Sequence, residues 1–220
     1  AAHYSFNASH SLSVAIDSIY GAYLKSHYPL EYFTVVLTMY ADDIDRTSKL
    51  IEELPYFGIT IHPIKFGKSG SNYTMDKESN QIFKGIQSVK FLNAQIGEEL
   101  LELSKNKYNS FVDLLKDIKE NTSINSKQLT ILTALNYFED FGANDYLLKI
   151  IDVYDKFATA KVIAKNKMES LGVSEYLMSK YASKETKSQY REIDNQGLIK
   201  ELCDKIENKS LSITEQIKFE

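Results

Sequence analysis

The chain has 220 residues, with 26 Lys and Arg against 30 Asp and Glu, and a formal net charge of −4. That balance excludes a whole-molecule positive field for drawing in nucleic acid, while 43% hydrophobic and 25% charged residues are ordinary for a water-soluble globular chain. Only nine glycines and three prolines are available, which disfavours sandwiches and barrels that need turn residues every ~8–12 positions, so the expected fold class is mainly α.

The first predicted element is a helix in which Leu12, Ala15 or Ile16, Ile19 and Tyr23 recur at helical spacing, with Ser9 or Ser11 as N-cap. Pro29 restricts Tyr28, ends that helix and opens the next, Leu30 to Tyr40, whose Phe33, Val36 and Leu37 face a core. Asp42, Asp43 and Asp45 mark the start of a third helix that carries Leu50, Ile51 and Leu54 and stops near Phe57-Gly58. Residues 1–58 are therefore expected to form one packed helical unit.

The texture then changes. Residues 58–64 alternate like a short strand, residues 67–72 are a small-residue loop, and Tyr73-Thr74-Met75 with Gln81-Ile82-Phe83 fit a hairpin. The only β structure expected is this small hairpin region near 59–83. Four helices follow, marked by Ile96, Leu100 and Leu103; by Phe111, Leu114, Leu115 and Ile118; by Leu129, Leu132 and Leu135, capped by Asn125 or Ser126 and ended by Gly142; and by Leu147, Ile150, Ile151 and Tyr154. Residues 183–195 are polar enough to expect a solvated loop or mobile helix end, and Leu198, Leu202 and Ile206 suggest one more short helix.

No active site stands on this chain's own residues. There is no HExxH pair, no glycine-rich phosphate loop and no GxSxG turn, and lone Cys203 excludes an intramolecular disulfide or a zinc ribbon built from this chain alone. Asp42, Asp43 and Asp45 read more simply as a solvated helix start than as a metal site. No apolar run approaches the ~18 residues of a membrane span, and Ala1–Tyr4 do not open a signal peptide. The expectation is a reducing cytoplasm and no membrane partner. Asn7, Ser9 and His10 lie at or before a helix start, where free N–H groups and the positive dipole end can hold a phosphate; a plain capped amphipathic helix fits the same residues.

Phe6-Asn7-x-Ser9-His10, Ser18, and the run Ala22-Tyr23-Leu24-Lys25-x-His27-Tyr28-Pro29-x-Glu31-Tyr32 closely resemble the fingers region of bacterial C-family replicative polymerases, the DNA polymerase III alpha subunits. The resemblance continues through Leu37-Thr38, the helix start at 42–49, the 58–63 strand and Ser69, and reaches the family's Gly-Ile-Gly-x-Ile-Lys-Gly-x-Gly hairpin, to which Gly85-Ile86-Gln87-Ser88-Val89-Lys90-Phe91-Leu92-Asn93 is similar. Lys127-Gln128-Leu129 and residues 136–142 are similar to a later family element.

This resemblance implies a fragment: 1–58 the C-terminal part of the fingers, 59–157 a helix-hairpin-helix-like domain with a short β hairpin, and 158–220 a helical extension leading toward an oligonucleotide-binding barrel. It implies that Asn7, Ser9 and His10 face the incoming deoxynucleotide and that Lys84, Gly85, Lys90 and Lys127 contact primer–template DNA. No cofactor is expected in the fragment; magnesium belongs to the palm aspartates of the parent, without which the fragment alone is expected not to polymerise. A sliding clamp and other replisome subunits are the further partners implied, with Gln196-Gly197-Leu198-Ile199 and Gln216-Ile217-Lys218-Phe219 as loose clamp-binding candidates. Two departures stand out. Val14 occupies the place of a family aromatic, and of the hairpin glycines only Gly85 remains, with Gln87, Phe91 and Asn93 at the others. Both departures also suit an alternative, a non-catalytic protein-interaction scaffold derived from a polymerase.

Overall fold

A computed structural model describes residues 8–219, in two compact units that divide between Lys105 and Asn106. That division falls inside the 59–157 span read from sequence. The chain is mainly α, with eleven α-helices and two three-stranded sheets among the described residues.

The first unit opens with α1 (Ala8–His27), α2 (Pro29–Met39) and α3 (Ile44–Glu53). Pro29 sits at the start of α2, where its missing N–H costs nothing, and the Asp43 side chain caps α3 by accepting from Arg46 N at 3.0 Å. Phe33 and Leu37 of α2 are fully buried and pack with Leu30, Leu54, Ile59, Tyr73 and Ile82; Phe57 meets Phe33 edge-on at 5.2 Å. Gly58 adopts φ +67, the left-handed value that turns the chain from the 3-10 turn Leu54–Phe57 into the sheet.

The sheet has the order β1-β3-β2. β1 (Thr60–His62) runs parallel to β3 (Gln81–Phe83), and β2 (Thr74–Asp76) pairs with β3 antiparallel as the expected hairpin, with Met75 opposite Ile82. A 3-10 turn, Ile86–Ser88, then leads to α4 (Ala94–Leu103), which buries Ile96, Leu100 and Leu103.

Two expectations for α1 need correction. Ser9 and Ser11 lie within the helix, so neither is its N-cap. Nor is α1 packed into the unit like α2: Leu12, Ile19 and Tyr20 are each more than 60% exposed, and Val14, Ile16, Tyr23 and Leu24 are also exposed. Its attachment is local, through the Lys25–Glu53 ion pair, Lys25 over the Phe33 ring at 5.5 Å, Tyr23 beside Tyr28 and the turn at Tyr28.

The second unit contains α5 (Phe111–Asn121), α6 (Ser126–Ala134), α7 (Asn144–Phe157), β4 (Val162–Ala164), α8 (Met168–Leu171), α9 (Glu175–Tyr181), β5 (Ala182–Glu185), β6 (Gln189–Ile193), α10 (Asn195–Cys203) and α11 (Ile213–Gln216). α7 is the central helix, packing against α5, α6 and α10. Asn125 starts α6 with a reciprocal cap: its side chain accepts from Gln128 N, and Gln128 Oε1 accepts from Asn125 N, both at 3.0 Å. Asn144, almost completely buried, donates to Ala134 O at 3.0 Å and accepts from Leu211 N at 2.7 Å, pinning the chain after α10 to the start of α7.

Gly142 does not end α6, which stops at Ala134; it follows a separate 3-10 turn, Glu139–Phe141. The polar segment 183–195 is mostly strand rather than solvated loop. β6 pairs antiparallel with both β4 and β5, giving a second sheet that the sequence reading did not contain. Only Tyr190 of β5 and β6 is buried, so the segment carries almost no alternating pattern to betray it.

An exposed ion cluster braces α9 against α10. Glu201 accepts from Lys180 Nζ and Tyr181 Oη, both at 2.6 Å, and Lys205 Nζ approaches at 3.3 Å. Lys180 first, then Tyr181, hold the Glu201 carboxyl down at about 2, against an ordinary value of 4.5. A folded-state pKa below the unfolded one adds stability that is complete above the unfolded value and is lost as pH falls through the folded value. Denaturant midpoints measured at pH 6, 4 and 2.5 should therefore drop less in Glu201→Gln than in the wild type, with the difference accruing between about pH 4.5 and 2.

Candidate nucleic-acid interface

The hairpin between β3 and α4 is built around a close backbone approach. A Cβ on Gly85 would stand 2.4 Å from the Asn72 carbonyl carbon and 2.6 Å from Ser71 O; one on Gly97 would stand 2.7 Å from Ser71 Cα. The segment Gly70–Asn72 thus runs between two residues that must lack side chains. Hydrogen bonds fix it there: Ile86 N donates to Gly70 O at 3.0 Å and Gln87 N to Ser71 O at 3.1 Å. Ile86, fully buried, holds the 3-10 turn in the core.

Beyond this clamp the chain turns over Val89–Leu92, closed by Leu92 N donating to Val89 O at 3.2 Å. Phe91, third in that turn, has φ +71, a conformation that glycine adopts freely and that costs a bulky L-residue roughly 1–2 kcal/mol. Its ring is 56% exposed, and Lys90 Nζ lies 5.3 Å from the ring centre. Asn93 then caps α4, its Oδ1 accepting from Ile96 N at 3.0 Å. The segment before this turn is a single 3-10 turn, Ile86–Ser88.

The residues singled out from sequence are distributed as follows. Lys84 and Lys90 are exposed, at the end of β3 and on the turn. Gly85 is buried with φ −76, and its lack of a side chain admits the close approach of Ser71 and Asn72. Lys127 is exposed in the first turn of α6, in the second unit. Ser9 and His10 are exposed in the first turn of α1, where Ser9 O accepts from Ser13 Oγ at 2.9 Å; Asn7 lies outside the described residues. Of the two clamp-binding candidates, Gln196–Ile199 is part of α10 and buries Leu198 and Ile199, so it is not an extended tether peptide. In the second, Ile217 is exposed.

Among the described residues no group of three or more His, Cys, Asp or Glu side chains converges on a metal position, so no metal-dependent step is derived for them. No described helix is long and apolar enough to cross a membrane. The sequence reading also missed a cleft of about 1290 Å³ in the second unit, between α5, α7 and α10, with Lys116, Lys119, Tyr146, Tyr154 and Lys200 on its walls. These residues are spread over 85 positions and share no motif spacing (116 to 200). Cys203 also lines it, but burial, then Asp204, pushes its thiol up to about 11, which keeps it protonated and unreactive at neutral pH.

Comparison with known proteins agrees with this geometry. A family model described as a helix-hairpin-helix motif matches residues 58–146, spanning the first sheet, the hairpin and α4 to α6. The class is thus a protein with a helix-hairpin-helix motif. Curated relatives include the DNA polymerase III alpha subunits of Aquifex aeolicus (34% identity over 140 residues, 63% of this chain and 12% of that protein), Mycobacterium tuberculosis H37Rv (30% over 173 residues, 78% and 14%) and Thermus aquaticus (28% over 153 residues, 69% and 12%). The chain is a divergent member of the DNA polymerase III alpha subunit family, and it spans about an eighth of the length of these relatives.

Two substitutions in the hairpin should have opposite effects on stability. Gly85→Ala forces a Cβ into backbone and should cost about 1–3 kcal/mol, whereas Phe91→Gly relieves the left-handed conformation and should gain about 1 kcal/mol. Urea denaturation of both variants checks this; a Phe91→Gly variant less stable than wild type would show that the exposed ring contributes more by packing than its backbone costs.

Proposed function

We propose that this chain is the section of a DNA polymerase III alpha-like protein that supports the incoming nucleotide and holds the nascent duplex, while the two-metal chemistry with magnesium resides in the remainder of the longer protein. The observation that carries this is the continuous similarity to DNA polymerase III alpha subunits across the helix-hairpin-helix match. In this reading the first turn of α1, with Ser9 and His10 and the preceding Asn7, meets the phosphates of a deoxynucleotide through helix N–H groups and the dipole. Lys84, Lys90 and Lys127 contact DNA phosphates. Val14 gives the nucleotide no aromatic face, so base stacking worth roughly 1–3 kcal/mol is missing at that point.

The exposure of α1 supports the same reading. A helix that leaves Leu12, Val14, Ile16, Ile19, Tyr20, Tyr23 and Leu24 exposed calls for protein to cover them, and relatives several times longer than this chain have it to supply. The chain by itself is then a DNA-contacting part without polymerase activity, and primer extension by the pure 220-residue chain should be absent.

The test is fluorescence anisotropy of a labelled primer–template titrated with the chain at 50 and 150 mM salt. Binding should weaken with salt, with a slope of about 0.9 in log K per log salt for each phosphate contact, and Lys84→Ala/Lys90→Ala should both weaken binding and flatten the slope. Absence of binding at the lower salt would overturn the DNA-holding role and favour the interaction-scaffold reading, for which the loss of the hairpin glycines already speaks.

A further inference from the structure

We infer that Phe91 is a stacking platform for an unpaired nucleobase, so that the hairpin grips single-stranded DNA by a ring face where a glycine hairpin offers backbone amides to a phosphate. The inference rests on the DNA-contacting reading above and gives that site a substrate preference.

Three observations lead to it. First, five backbone amides along the hairpin are already committed to the fold. Those of Ile86 and Gln87 donate to Gly70 and Ser71, and those of Ser88, Val89 and Leu92 donate to Gly85, Ile86 and Val89. A phosphate seeking a row of N–H donors over Ile86–Val89 finds those four occupied by bonds that fix the fold. Second, the turn holds a large aromatic ring in a left-handed position, φ +71, and leaves it 56% exposed at the tip. A strained residue whose ring is not buried in compensation is better placed to meet a ligand than to stabilise the fold. Third, the surrounding charge is one-signed. From Ser79 to Gly97 the chain has Lys84 and Lys90 and no Asp or Glu, inside a protein of net charge −4. Both lysines are exposed, and Lys90 stands beside the ring.

A flat apolar face with a cation beside it and a second on the same short segment suits the recognition chemistry of single strands: the ring takes the base, the ammonium groups take neighbouring phosphates, and the contact tolerates any base because each has a π-face. An unpaired base is the favoured occupant over a paired one. Inserting Phe91 between stacked pairs requires unstacking them first, whereas a template overhang presents a base face at no such cost.

The experiment measures anisotropy of a labelled 12-nucleotide single strand and of a blunt 12-base-pair duplex of the same sequence, with the full chain and with Phe91→Gly, Phe91→Ala and Phe91→Tyr. Phe91→Gly suits the native backbone at this position, so a folding failure does not obscure the result; thermal melts of each variant confirm it. Phe91→Gly and Phe91→Ala should weaken single-strand binding by about 5- to 100-fold, leave duplex binding within about twofold, and be rescued by Phe91→Tyr. Single-strand binding that is unchanged in Phe91→Gly and Phe91→Ala would overturn the stacking role while leaving the DNA-contacting reading intact, as would an equal loss on both DNA forms. Failure of the wild-type chain to bind either form at low salt would overturn both.

Discussion

The backbone of Gly70–Asn72, held between Gly85 and Gly97, is the constraint on which the first unit turns. It joins three elements that are far apart in sequence: the loop before β2, the exit from β3 and the first turns of α4. Backbones can come this close only where no Cβ intervenes, and the two hydrogen bonds donated by the Ile86 and Gln87 amides convert that proximity into fixed register. β3 then has only one way to leave the sheet, and the turn that follows is presented at a defined place. Ser69, fully buried just before the clamp, accepts from Lys65 N at 3.0 Å and holds the incoming loop in the same manner.

This division of labour explains why the hairpin tolerates its departures. Gly85 and Gly97 serve the fold. The turn itself is closed by local hydrogen bonds and by the Asn93 cap, so Gln87 and Asn93 fit without penalty, and Asn93 adds a capping bond of its own. Phe91 is the exception, since its φ is one that glycine would occupy with less strain. The turn thus carries an exposed ring beside Lys90 at a position whose φ suits glycine.

Much of the fold was legible because local signals agreed. Pro29, Asp43 and Asn125 each announce a helix start by a mechanism that the structure reproduces, and the hairpin of β2 and β3 follows from alternation around a polar turn. The parts that were not legible are those where tertiary context decides. β5 and β6 bury one side chain, Tyr190, and Glu192 takes φ +54 within β6, so neither periodicity nor propensity marks them. Gly142 has φ +147 and lies beside Tyr146, a contact made by folding rather than by the helix it seemed to end. For the candidate site, Lys84 and Lys90 were visible as charges and Phe91 only as a missing glycine. That Gly85 is committed to packing required the neighbouring backbone of Ser71 and Asn72 to be seen.

The two stretches that carry the nucleic-acid reading in the first unit differ in how the fold supports them. The hairpin is over-determined: a buried Ile86, two obligatory glycines, an N-cap and five hydrogen bonds donated by backbone amides all fix the same few residues. α1 is under-determined, attached near its C-terminal end by the Lys25–Glu53 ion pair, by Lys25 over the Phe33 ring and by Tyr23 beside Tyr28, with Ser9 and His10 about 25 Å away along the helix axis by its ~1.5 Å rise per residue. A rigid hairpin suits a contact made to whatever strand passes it. A long helix held at one end suits a contact whose geometry is completed only when further protein encloses it.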